Sequence, residues 1–157
     1  MRSAVFAAFG MLAAGAFATT AIAADPMEQA AKARQSFMQV LAFNLGPLGA
    51  MAKGEMDYNA EAATTYAKNI ELLASMNTGS MWPEGSDNAA LGENKTRALP
   101  AAWAADSKVM EKYGDWTKAS AELAAAAGSG LDALKPAVGA VGKSCGGCHD
   151  LYRAEQK

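Results

Sequence analysis

The sequence predicts an all-α fold, an antiparallel up-down-up-down bundle of four helices. Three observations predict it. Apolar residues recur at intervals of three and four and almost nowhere alternate. Glycine, proline and polar stretches divide the chain into four such segments. All but one of the connections are short, which favours antiparallel neighbours.

Residues 1–23 stand apart from these helices. After Arg2 comes the alanine-rich apolar run AVFAAFGMLAAGAFA, then TTAIAADP, in which Ala21-Ile22-Ala23 fits the small-x-small rule of signal peptidase. A membrane anchor is the rival reading. Gly10 and Gly15 interrupt the run, however, and it is short for a bilayer and ends at Thr19 and Thr20. The expectation is a removed secretory signal, leaving residues 24–157 as a single domain in the periplasm.

The first helix starts at DPMEQ, with Asp25 as N-cap, Pro26 at the first helical position and Glu28 at the capping-box position. Its inner stripe is Met27, Ala31, Arg34, Met38, Leu41, Leu45 and Leu48, one member of which is charged. Gly46-Pro47 should kink it, and Lys53-Gly54 should stop it. The second helix runs from Asn59-Ala60-Glu61 towards Met76, with Ala62, Tyr66, Ile70 and Leu73 inward. Residues 77–99, rich in turn formers and carrying Trp82, form the one long loop, a feature often functional in a compact domain.

The third helix is expected from Pro100 to Ala127, with Val109, Tyr113, Trp116 and Leu123 on one face, ended by Gly128-Ser129-Gly130. The fourth runs from Leu131 into the C-terminus, Pro136 being early enough to be tolerated. Its stripe of Leu131, Leu134, Val138, Val141, Cys145, Cys148 and Tyr152 turns both cysteines towards the core seam.

Charge narrows the function. The chain carries 14 Lys and Arg against 16 Asp and Glu, and loss of Arg2 with the signal makes the remainder slightly more acidic. No electrostatic footprint for nucleic acid is present. No nucleophile-base pair and no second histidine suggest an enzyme.

Chemistry concentrates in KSCGGCHDLYR, which holds both cysteines and the one histidine, Cys145, Cys148 and His149. Three readings compete. A disulfide would suit an oxidising compartment, but redox C-x-x-C pairs belong in βαβ surroundings and no strand is predicted. Zinc would have two thiolates and one imidazole, with no further Cys or His to complete a tetrahedron. C-x-x-C-H is also the signature of covalent haem attachment, with two thioethers along one porphyrin edge and the adjacent imidazole reaching the iron. Export and the unobstructed backbone at Gly146-Gly147 favour the third reading. Arg153, four residues beyond His149, is either a solvated cation at the helix end or a charge beside the imidazole or a haem propionate.

VGKSCGGCHDLYR matches the pattern V-G-x-x-C-x-x-C-H-x-x-[YF]-R near a C-terminus, and ARQSFMQVLAFNLGPLGAMAKGEMDYNA is similar to a first helix with a K-G-x-x-x-[YF]-[DN] exit. With Trp103, these residues make the chain resemble the class II c-type cytochromes, the group of cytochrome c′ and its low-spin relatives. Class I cytochromes carry the haem motif near the N-terminus. The resemblance spans most of residues 25–157, the 77–99 loop least.

The resemblance implies one covalently bound haem c, with His149 as proximal ligand. It puts Arg34 in the family's propionate position, Arg153 in its proximal-side position and Met38 over the distal face. If Met38 bonds the iron, the site is six-coordinate, low-spin and suited to electron transfer with a redox partner protein. If Met38 only packs there, the site is five-coordinate and open to diatomic gases such as nitric oxide or carbon monoxide. By default a methionine on an apolar stripe is core filler, and Phe37 beside it is read as packing. Tyr66, Tyr113 and Trp116 are expected to wall the haem or the core, and Trp82 to shield a haem edge or anchor its loop. Some relatives form a homodimer through the first two helices.

Overall fold

The computed structural model describes residues 25–156, so the expected signal sequence lies outside the described residues. The described residues fold into five α-helices: α1 (Pro26–Lys53), α2 (Ala60–Ala74), the short α3 (Asn88–Leu91), α4 (Val109–Ala126) and α5 (Leu131–Tyr152). Among the described residues there is no strand, only an isolated antiparallel bridge between Ala98 and Arg153. The four long helices close a ring in which α1 packs on α2 and α5, and α4 packs on α2 and α5. This is the four-helix bundle that the apolar periodicity predicts.

Local chemistry sets the helix ends. The Asp25 carboxylate accepts from the Met27 N–H at 2.8 Å, and Pro26 occupies the first turn, where its missing donor costs nothing. Gly54 stops α1 in the left-handed conformation at φ 76°, open without strain only to glycine. α1 continues through Pro47 without interruption. Asn59 caps α2 by accepting from the Ala62 N–H at 2.9 Å. Between α4 and α5, a β-carbon on Gly128 would meet Thr64 Oγ1 at 2.6 Å, so glycine permits the close approach of α2 there. Tyr58 fastens the same corner by donating to Ala127 O and accepting from Gly130 N–H, both at 2.9 Å.

Small side chains draw the helices together. Ala63, Ala67 and Ala74 of α2 and Ala119 and Ala124 of α4 are buried, and around them pack Leu48, Ile70, Leu123, Leu134 and Val141. Alanine at helix contacts shortens the interaxial distance and leaves room for large side chains from the flanking helices. No buried side-chain nitrogen or oxygen among the described residues lacks a hydrogen-bond partner. No helix among them is long and apolar enough to cross a membrane.

Three expectations need correcting. The third long helix begins at Val109, because Pro100–Trp103 forms a separate 3₁₀ turn, with Trp103 Nε1 donating to Trp82 O at 3.0 Å. Ser107 then starts α4 by accepting from the Val109 N–H at 3.2 Å. The inner stripe of α1 passes through Phe37 rather than Met38: Phe37 is buried edge-on against Trp116 at 6.3 Å, and Met38 is 39% exposed. Finally, α5 ends at Tyr152 instead of running into the C-terminus, and Arg153 is extended.

Truncating Phe37 to alanine removes a large side chain from this contact, so Phe37→Ala is expected to cost about 3–5 kcal/mol in chemical denaturation. Met110→Ala, at a position three-quarters exposed, should change stability by no more than about 0.5 kcal/mol.

Candidate functional site

The last three turns of α5 carry the site. Cys145 and Cys148 are free thiols, half-buried, and Cys145 packs against the core cluster. They stand three residues apart and therefore on one flank of the helix. His149 follows, also half-buried. Beyond Val141, no residue of α5 is fully buried. A β-carbon on Gly142 or Gly146 would meet nothing within 4 Å, and one on Gly147 only the Lys112 side chain at 3.9 Å. Glycine at these positions leaves open space beside the helix.

Electrostatics keep all three groups uncharged. Burial raises the Cys145 thiol pKa above its ordinary value, against the hydrogen bonds and the Arg153 charge that lower it. Burial also raises Cys148, reinforced by Cys145 and opposed by Lys112 and Arg153. Burial lowers the imidazole of His149, helped by Arg153 and Arg97, with Asp150 opposing. Neutral imidazole is the form that ligates a metal. No three His, Cys, Asp or Glu side chains among the described residues gather to hold a bare metal ion. Two free thiols one turn apart, a neutral imidazole next to them and open space at the neighbouring glycines fit a haem attached by its edge.

α1 packs beside this helix. Its Met38 thioether lies outside the core, whose place Phe37 takes. One turn earlier, Arg34 is buried at 4% exposure in a cage supplied by the 77–99 loop. Its Nη1 donates to Met81 O at 2.8 Å and Ser86 Oγ at 3.1 Å; its Nη2 donates to Ser86 O at 2.8 Å and Thr96 Oγ1 at 3.1 Å. The guanidinium also lies over the Trp82 ring at 4.5 Å and within 5.7 Å of Trp103, whose ring is 5.8 Å from that of Trp82. Burial lowers its pKa, with Asp87 opposing, yet a guanidinium stays charged.

The family model for cytochrome c′ matches residues 29–153. The chain belongs to the cytochrome c′ family.

Cytochrome c-554 of Cereibacter sphaeroides is 39% identical over 131 residues, covering 83% of this chain and 96% of that protein. The solved cytochrome c′ from Rhodobacter spheriodes superposes with a TM-score of 0.79 at 34% identity, covering 83% of this chain and 98% of that one. A nitric oxide complex of a variant of cytochrome c prime from Alcaligenes xylosoxidans gives a TM-score of 0.72 at 28% identity, over 85% and 98% of the two chains. As a cytochrome c′-family protein the chain carries covalently attached haem c, and its two cysteines are both in the C-x-x-C-H motif.

Cys145, Cys148 and His149 lie in the last turns of α5, and Arg153 stands just past its end. Arg34 hydrogen-bonds the 77–99 loop, and Trp82 anchors that loop by stacking on the Arg34 cation. Arg97 and Lys112, whose charges act on His149 and Cys148, were not singled out from the sequence. Lys112 sits on α4 one position before Tyr113, where a surface lysine gives no signal. Arg97 lies in the loop least similar to the family pattern.

Arg34→Gln should free the loop. We expect a loss on the order of 2–3 kcal/mol from unsatisfied loop acceptors, and faster proteolytic cleavage between residues 82 and 96. Arg34→Lys should not rescue it, because one ammonium cannot reach four acceptors spread around a planar fork.

Proposed function

We propose that this cytochrome c′-family protein is an exported, periplasmic monohaem electron carrier. In this reading Cys145 and Cys148 form the thioether links, His149 is the proximal iron ligand and Met38 is the sixth. The observation that carries it is the place of Met38. Core packing at this turn of α1 is supplied by Phe37 against Trp116, which leaves the thioether outside the core and free for another role.

The bound haem supplies a reversible one-electron change at its iron, with a potential that a His/Met ligand pair raises. The chain's residues supply the rest. Burial holds His149 neutral, so its lone pair is available. Arg153 contributes a positive charge on the proximal side. Four N–H groups of Arg34 are committed to the loop, so its effect on the haem propionates is that of a charge acting through space. No catalytic residue is assigned.

A second reading, an open five-coordinate site that binds diatomic gases, is favoured by the nitric oxide complex solved for the Alcaligenes xylosoxidans relative. Absorption spectra separate the two. The reduced protein should show the Soret, α and β bands of haem c, and the ferric form a weak near-red sulfur-to-iron band that disappears in Met38→Ala. Prompt carbon monoxide binding to the ferrous wild type, with no such band in the ferric form, would sink the electron-carrier reading and leave the gas-binding one.

The face shared by α1 and α2 supports a second copy as partner. Val40, Phe43 and Leu72 are exposed there, Phe43 at 71%, around a groove lined by Asn44, Asn69 and Leu73. Exposed apolar groups gathered at one place mark an association surface. Sedimentation should show a dimer for the wild type and a monomer for Phe43→Glu.

A further inference from the structure

α5 ends without a local stop signal. Tyr152 is followed by Arg, Ala, Glu and Gln, all good helix formers, and neither glycine nor proline is among them. Yet Arg153 leaves the helix at φ −125° and ψ 124°. The stop comes from elsewhere in the fold. Residues 97–99 lie antiparallel to 152–154: the Leu99 N–H donates to Tyr152 O at 2.9 Å, the Ala154 N–H to Arg97 O at 2.8 Å, and Ala98 pairs with Arg153. The Arg97 side chain closes the pairing. Its Nε donates to Ala154 O at 2.7 Å, and its Nη2 donates to the same oxygen.

Arg153 is therefore held by its backbone while its side chain stays exposed. Its charge acts on Cys145, Cys148 and His149 together. Continued helix would put residue 153 one turn beyond His149 on the same face; the extended conformation sets its side chain in a different direction. The pairing segment is itself steadied from α1, since Thr96 Oγ1 accepts from both Arg34 and the Ala98 N–H.

We propose that Arg97 is a positioning residue for the proximal side of the haem: its grip on the Ala154 carbonyl holds Arg153 outside α5 and so sets where the Arg153 charge stands relative to His149. This rests on His149 as the proximal ligand. A cation near the iron favours the reduced, more electron-rich state and raises the potential, by an amount that falls with distance. Loss of the grip lets the chain after Tyr152 fray, which carries that cation away from the haem.

The test uses the haem-loaded protein and reads two quantities, the reduction potential and the hydrogen exchange of residues 152–156. Arg97→Gln and Arg97→Lys should both lower the potential to a similar degree and speed exchange of the Ala154 amide about tenfold or more. Neither should lower the potential further in an Arg153→Gln background.

Wild-type potential in Arg97→Lys with a lowered value in Arg97→Gln would overturn the proposal, since Arg97 would then act by its own charge. So would faster exchange at an unchanged potential, or additive losses with Arg153→Gln. Failure of the His149-ligand reading shows separately, as absorption spectra of the haem-loaded His149→Ala protein unchanged from wild type.

Discussion

Burying the Arg34 cation is the constraint on which much of this structure depends. A guanidinium taken out of water needs acceptors at fixed angles around a plane, and an unmet need costs several kcal/mol. The 77–99 loop provides them from Met81, Ser86 and Thr96, and Trp82 covers the ring face. A long loop with little regular structure thereby acquires one conformation. α3 within it is capped by Asp87, whose carboxylate accepts from the Ala89 and Ala90 N–H groups, and Lys95 pairs with Glu28 of α1 at 3.0 Å.

Order in the loop is passed to the haem-bearing helix. Thr96 belongs to the Arg34 cage and also accepts the Ala98 N–H, and Ala98 pairs with Arg153. Tyr152 is fixed on its other side, its hydroxyl accepting the Lys108 N–H at 2.7 Å just before α4. The end of α5 is thus held by two segments distant in sequence. The alanine-rich contacts among α2 and α4 and the Tyr58 corner play the corresponding part at the opposite end of α5, where the helix begins.

Much of this was legible in the sequence because the signals are local. Asp25, Asn59 and Gly54 act within a turn of themselves, so the starts of α1 and α2 and the end of α1 were predicted where they occur. The spacing of Cys145, Cys148 and His149 needs only a helix to put them on one flank. Local signals failed at two places. Periodicity could not distinguish Met38 from Phe37, because adjacent positions of a wide apolar stripe differ in which partner helix they meet. Pro100 looked like a helix start because it is one, of a single 3₁₀ turn that Trp103 ends by bonding to Trp82. The hydrogen bonds of Arg34 go to residues 47 to 62 positions away, beyond the reach of any local signal.

The sequence by itself determined the all-helical class, the order of the four long helices and the attachment motif, since each follows from spacing within one helix or one turn. Tertiary structure alone decided that Met38 lies outside the core, that Arg34 is consumed by the loop, and that α5 stops at Tyr152. These outcomes depend on which distant groups satisfy a buried cation or a helix end. No periodicity encodes that choice, because the partners lie dozens of residues apart and meet only once the bundle has closed.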